Sequence, residues 1–336
     1  MTIKKIKLDW FLTGMFAAIA LAAILPGPGA EGGVLQPELL TKLGIALIFF
    51  LNGGVLSFNA LKDGISRWKL HLIIQLSTFL LFPALGGLFL LLCGRWISPD
   101  LQLGFFYLCA LSSTVSSSVA MTSAARGNVP VAVFNATLSS LIGIVVTPLW
   151  MSLLLKTSGQ SLDVGKVFID LCIWLVLPLV LGQLCRPLIG AWLHRHKKLT
   201  QIADRGTILL LVYTSFCDSF EKHIWSGNSP INLVITVVAT LALFFIVLFT
   251  LWALCDRTGI APTFRSAVVF CGTKKSLATG VPMAHLIFTG HAGLGLILLP
   301  IMLYHPLQLL ICTPLANRWA REANTAVADA PTPAKA

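Results

Sequence analysis

The chain has 336 residues, of which 56% are hydrophobic and only 11% charged; soluble domains are roughly a quarter charged. This balance excludes a soluble enzyme or a nucleic-acid-binding domain and indicates a polytopic membrane protein in a lipid bilayer. The formal net charge of +11 sits in short loops between apolar runs, where Lys and Arg set membrane orientation. The basic start MTIKKIKLDWF leads into an apolar run that ends at Pro26 without a small-x-small cleavage site. It is read as a first transmembrane helix rather than a signal peptide.

Ten spans follow in order, each near the ~20 residues that a bilayer requires. They cover about 10–26, 39–57, 70–93, 102–125, 129–155, 165–185, 201–218, 231–254, 263–288 and 290–316. The remainder, 321–336, is rich in Ala and Pro and is expected to be a disordered tail. With the N-terminus in the cytoplasm, 17 of the 24 Lys and Arg fall on the inner side and 5 on the outer. Lys274 and Lys275 remain within the ninth span. The bias supports ten spans with both termini cytoplasmic. The eight cysteines form no CxxC or other metal-spaced pair, so buried free thiols are expected.

Two spans are interrupted. Leu111–Pro130 reads LSSTVSSSVAMTSAARGNVP and puts six hydroxyls into Ser112–Ser118. Gly272–Pro282 reads GTKKSLATGVP. Interrupted hydrophobic segments at corresponding places in two halves are the sequence pointer to a transporter binding site. The two stretches lie about half a chain apart, which suggests repeats over 1–155 and 156–320. Each repeat has five helices. Five is odd, so the second repeat comes out inverted. Spans four and nine are expected to break near Thr114–Ser118 and Gly272–Ser276 and to cross near mid-membrane. The competing reading of the small residues is a tight helix interface.

The candidate substrate-binding residues are Ser116, Ser117, Ser118, Thr122, Asn128, Asn135, Thr273, Lys274, Lys275, Ser276 and Thr279. A lysine at membrane depth is costly and should face a cavity or a partner. Two functional readings stand for Lys275: a fixed cation, or a binder of an anionic substrate. The alternative is a lysine that snorkels to the interface. Trp10, Trp68 and Trp319 read as interface anchors. No nucleophile with a base, no metal-spaced histidines, no Walker motif and no dinucleotide loop is evident, so neither an enzyme nor a cofactor is expected.

Arg126-Gly127-Asn128 followed by VFNATLSSLIGIVVTPL resembles the bile acid:sodium symporter superfamily. FFLNGGVLS (Phe49–Ser57) and KSLATGVPMA (Lys275–Ala284) resemble its SBF-like branch. The resemblance covers all but the tail. It implies ten helices in two inverted repeats, a panel domain built from the first helix of each repeat and its partner, and a core domain. In that core, helices four and nine are unwound where they cross. It also implies transport of a small organic anion, with sodium beside the crossover.

The sodium-coupled members carry a glutamate at the start of the ninth-helix break. Here Phe270–Thr279 has no acid and offers Lys274 and Lys275. A serine–asparagine pair becomes Ser118-Val119, hydroxyls on the fifth helix become Ala132 and Ala136, and a third-helix glutamine becomes Thr78. Sodium coupling is therefore not carried over. The expectation is a secondary transporter of a small organic anion in a bacterial inner membrane, with Lys275 in place of the cation or proton-linked. The alternative is a non-transporting regulatory membrane protein that kept the fold.

Overall fold

The computed structural model describes residues 10–55, 67–157, 164–224 and 229–328. The start MTIKKIKLD, the end of the Phe49–Ser57 motif and residues 329–336 lie outside the described residues. The helices are α1 (Trp10–Ile24), α2 (Pro37–Val55), α3 (Trp68–Leu76), α4 (Phe82–Cys93), α5 (Pro99–Ala110), α6 (Ser116–Ala124) and α7 (Val129–Thr157). They continue with α8 (Val164–Leu171), α9 (Leu177–Arg195), α10 (Lys197–Glu221), α11 (Pro230–Arg257), α12 (Pro262–Thr273), α13 (Leu277–Ile287) and α14 (Leu294–Ala328). The last helix thus runs past the boundary at 320 that composition suggested. No strand occurs among the described residues.

Proline sets many of these boundaries. Pro37, Pro99, Pro230 and Pro262 each stand at the first residue of a helix, where the missing N–H costs nothing and the fixed φ suits the turn. Within spans, Pro83 and Pro178 follow π-helical turns at Ser77–Leu81 and Cys172–Val176, which join α3 to α4 and α8 to α9. At the first of these, Phe82 N–H bonds Ser77 O, five residues back. Pro83 has no N–H, so the Thr78 and Phe79 carbonyls lack the donor that a π or α turn would supply. Trp150 Nε1 takes up Phe79 O at 3.0 Å.

Six helical stretches are long and apolar enough to cross a membrane: Pro37–Val55, Trp68–Trp96, Val129–Lys156, Gly165–Leu193, Pro230–Arg257 and Leu294–Thr325. Their outer faces carry bare aliphatic side chains such as Leu91 and Leu188, both more than four-fifths exposed. A bilayer, not water, is the solvent for such a face.

The helices pack in two groups. In one, α2 lies along α9, and α10 packs on both α1 and α2. The α2–α9 contact is backbone on backbone: a Cβ at Gly53 would overlap the Leu179 carbonyl, and one at Gly182 would overlap that of Phe50. Glycine here permits the close approach typical of membrane helices. In the other group, α12 contacts α3, α6, α7, α11 and α14, and α5 packs on α4, α7 and α14. The first group draws on both halves of the chain. The groups meet where α10 contacts α13 and α14.

Candidate functional site

Both interrupted spans are broken. Between α5 and α6 the chain is non-helical from Leu111 to Val115, slightly ahead of the expected Thr114–Ser118. Between α12 and α13 the break is Lys274–Ser276. The two breaks touch: Ser276 N–H donates to Ser112 O at 2.9 Å, and the Ser112 and Thr279 hydroxyls lie 3.2 Å apart.

A helix end leaves its last four carbonyls without partners, and in a membrane interior no water replaces them. The sequence supplies the donors. At the end of α5, Tyr107 O accepts from Leu111 N–H at 3.1 Å, and Ala110 O accepts the Thr147 hydroxyl at 2.8 Å. At the end of α12, Phe270 O accepts from Ser118 at 3.1 Å, Cys271 O from Ser113 at 2.6 Å, Gly272 O from Ser77 at 3.1 Å and Thr273 O from Tyr304 at 2.6 Å. Gln308 holds the break itself, accepting from Lys275 N–H at 2.9 Å and donating to Lys275 O at 3.1 Å.

Lys275 completes the lattice. Its Nζ donates to Thr78 O at 2.9 Å, Cys109 O at 2.7 Å and Leu111 O at 2.6 Å, and it lies 4.1 Å from the centre of the Phe82 ring. Three carbonyls match the three donors of an ammonium. One is the carbonyl that Pro83 leaves free; the other two belong to the C-terminal end of α5, the negative pole of that helix. Lys274 sits one residue away, with Nζ donating to Ser117 O at 2.9 Å. Both lysines are fully buried, at 0% exposure. The carbonyls around Nζ of Lys275 are thus already bonded to a cation, and no carboxylate stands in either break. This donor set does not fit a sodium ion at the crossover.

Beside the crossover, between the two helix groups, lies a cavity of about 590 Å³. Asn52 of α2, Arg186 of α9, and Lys197, Gln201 and Asp204 of α10 line it, with Ser116 at the start of α6. No side chain caps α6, so the positive end of that helix opens on the cavity. Arg186, Lys197 and Asp204 form no ion pair with one another or with any other described residue. Asp204 Oδ1 is buried without a hydrogen-bond partner.

At the other end of α10 the groups are bonded together. His285 Nε2 of α13 lies 2.8 Å from Ser215 Oγ and 3.2 Å from Leu211 O. Ser219 Oγ donates to Ala292 O at 3.0 Å and accepts from Gly295 N–H at 3.1 Å. Outside the apolar region, Lys222 Nζ donates to Glu31 Oε2 at 2.9 Å. That hydrogen bond holds the Glu31 carboxyl below its ordinary range and the Lys222 ammonium above its own.

Of the candidate substrate-binding residues named from the sequence, only Ser116 lines the cavity. Ser117, Ser118, Lys274, Lys275, Ser276 and Thr279 are brought together at the crossover. Ser276 Oγ caps α13 by accepting Thr279 N–H at 3.2 Å. Thr273 Oγ1 bonds Val269 O in its own helix at 2.7 Å. Thr122 is buried near Gly127, its hydroxyl without a partner. Asn128 caps α7 through Oδ1 and Val131 N–H at 3.0 Å, while Asn135 bridges α7 to His71 of α3 at 2.8 Å. The carbonyls that Lys275 reaches are those of residues 78, 109 and 111. Trp319 is not an interface anchor: it is buried, its ring tilted against that of Phe270 with centroids 5.2 Å apart, and under Arg265. Sequence reasoning did not single out Arg186, Lys197 or Asp204 as site residues; a signal lay in Asp204, an acid inside the seventh span expected over 201–218.

The sequence profile of the SBF-like CPA transporter family matches residues 9–321. An uncharacterized Pseudomonas aeruginosa protein is 41% identical over 331 residues, covering 96% of this chain and 97% of the relative. The Escherichia coli K12 protein named "Putative symporter YfeH" is 40% identical, covering 94% of each. Sodium/bile acid cotransporter 7 of Rattus norvegicus is 35% identical, covering 94% of this chain and 95% of the relative. With its apolar helices and near-complete match, this multi-pass membrane protein belongs to the SBF-like CPA transporter family.

Proposed function

We propose that the chain is a secondary transporter of a small organic anion and that it works without sodium at the crossover. The observation that carries this reading is the cavity: two unpaired cations, Arg186 and Lys197, and the positive end of α6 face one space of about 590 Å³. That size suits a small organic molecule. Lys275 takes the role of a resident cation. It holds the two breaks in register, as a bound ion would, but cannot leave.

The architecture supporting this is five spans twice over: α1, α2, α3–α4, α5–α6 and α7, then α8–α9, α10, α11, α12–α13 and α14. The broken members are fourth and ninth, and an odd repeat is inverted, as alternating-access transporters are. The Lys- and Arg-rich side, by the charge bias, is the cytoplasm of a bacterial inner membrane. The cavity lies at the N-terminal end of α10, on that side. The Ser215–His285 and Ser219–Ala292 contacts close the other. Rocking of the α1–α2–α8–α9–α10 group about this seal would open the site alternately.

Purified protein in liposomes, screened with radiolabelled organic acids with and without a sodium gradient, tests the reading. Saturable uptake unchanged by sodium, and lost in Lys275→Ala, is the expected result. Uptake that strictly requires sodium, or wild-type uptake in Lys275→Ala, overturns it.

A further inference from the structure

We infer that Asp204 is a proton-binding site whose occupancy is set by the charge in the cavity, so that entry of an anion draws a proton onto this carboxylate. The inference rests on the proposed anion site and adds a coupling ion to it.

The argument begins with the cavity's unmatched charges. Arg186 and Lys197 are cations that form no ion pair with any described residue, and Asp204 is an acid that forms none either. A site with two cations suits an anion. An ionised Asp204 in the same wall opposes that anion, and the opposition is strong where little water screens it. Protonation removes it. Anion and proton therefore favour each other's binding, and the linkage is reciprocal. The step itself is simple: a proton from cavity water forms an O–H bond with the carboxylate, and nothing else is made or broken.

The position suits this task. Asp204 lies seven residues before Leu211, roughly 10 Å along the helix, between the open cavity and the contacts of His285 with Leu211 and Ser215. Besides Arg186 and Lys197, the one cation that acts on this carboxylate is its neighbour Arg205, whose guanidinium favours the ionised form. From α2 the cavity receives Asn52, from α6 Ser116, and from α9 Arg186. α1, which packs on α10, has no ionisable side chain between Trp10 and Ile24. On α10 itself, Lys197 lines the cavity, and Arg205 lies over the rings of Trp10 and Phe11 at 5.7 and 5.4 Å. α13 offers His285, bonded to Ser215, and α14 offers His305, bonded to Gln308 at 3.0 Å. Whereas Lys275 is saturated by three acceptors, Asp204 lines the cavity and keeps Oδ1 without a hydrogen-bond partner.

The test needs no knowledge of the cargo. Dicyclohexylcarbodiimide reacts with protonated carboxyl groups in apolar surroundings, and mass spectrometry locates the adduct. In detergent-purified protein, modification of Asp204 should rise steeply from pH 8.5 to pH 5.5, following a single titration. Asp204→Asn should remove that adduct, and Asp204→Glu should restore it. The double variant Arg186→Gln/Lys197→Gln imitates the charge of a bound anion. It should move the midpoint upward, because lost cations no longer favour the ionised form. Replacing choline chloride by sodium chloride should change nothing. Absent or pH-independent modification, a midpoint unmoved in the double variant, or suppression by sodium overturns the inference. If the uptake screen finds no cargo, these measurements still decide the fate of Asp204, so the two failures are distinguishable.

Discussion

Within one wall of helices, the crossover and the cavity treat charge in opposite ways. At the crossover, Lys275 meets three carbonyls, and Ser77, Ser113, Ser118 and Tyr304 each meet one at the end of α12. In the cavity, Arg186, Lys197 and Asp204 form no ion pair among the described residues. Saturated polar groups hold a structure and leave no capacity for a ligand. Unsaturated ones do little for stability and are free to bind. Substitutions at the crossover should therefore be read in stability, and substitutions in the cavity in transport.

The largest expected effect is that of Lys275→Ala. It strips the donor from three buried carbonyls, each at about 1–3 kcal/mol, for a loss of at least about 3 kcal/mol. A fall in yield of folded protein and in Tm checks it. Lys275→Arg should not restore stability, since a planar guanidinium cannot place three donors as an ammonium does.

Next comes Gly182→Val. Its side chain would overlap the Phe50 carbonyl and force α2 from α9, at a cost of about 1–3 kcal/mol, read as a lower Tm. Tyr304→Phe removes one donor and leaves Thr273 O bare, for about 1–3 kcal/mol. The fold tolerates this change, and its Tm shift should be the smaller of the two.

Arg186→Gln sharpens the contrast. Its stability should stay within about 0.5 kcal/mol of wild type, as for a surface change, with a Tm near that of wild type. The KM for the anion should rise about tenfold, equal to about 1.4 kcal/mol. A large Tm loss with unchanged KM would place Arg186 with the scaffold.

The smallest effect is at Glu31→Gln, where the Lys222 pair is exposed and screened. The sign follows from the directions. A lowered carboxyl contributes stability that is present above its unfolded value, about 4.3, and is lost as pH falls through its folded one. The raised Lys222 contributes below about 10.4 and loses its contribution as pH rises through the folded value. Wild type and variant should thus differ barely at neutral pH and coincide in acid.

How much of this could be read from residues alone follows from what residue names encode. The breaks were legible because Gly, Pro and clustered hydroxyls interrupt apolar runs, and the depth of Lys275 was legible because the runs around it are long. Its partners were not, since every residue carries the same carbonyl; only the π turn before Pro83 shows why Thr78 O is available. The hydroxyls at Ser116–Ser118 read equally as ligands or packing, and for Ser118 the fold uses the hydroxyl on a helix end. Asn128 looked like a site residue because a cap and a ligand use the same atoms. Asp204 went unnoticed because its unpaired state depends on the cavity, which no local pattern reveals.

The partners of the crossover are far apart in the chain, and synthesis must bridge that distance. Leu111 O waits for the ammonium of a lysine 164 residues later; at 5–20 residues per second that is about 8–30 s. During this interval the first broken span lies in or beside the bilayer with exposed carbonyls. Lipid cannot satisfy them, so the nascent half must keep the break near water or against the insertion machinery until its partner emerges. A chain released before Lys275 is made should accordingly be an orphan that quality-control proteases degrade, whereas the two halves made together as separate polypeptides should rescue each other.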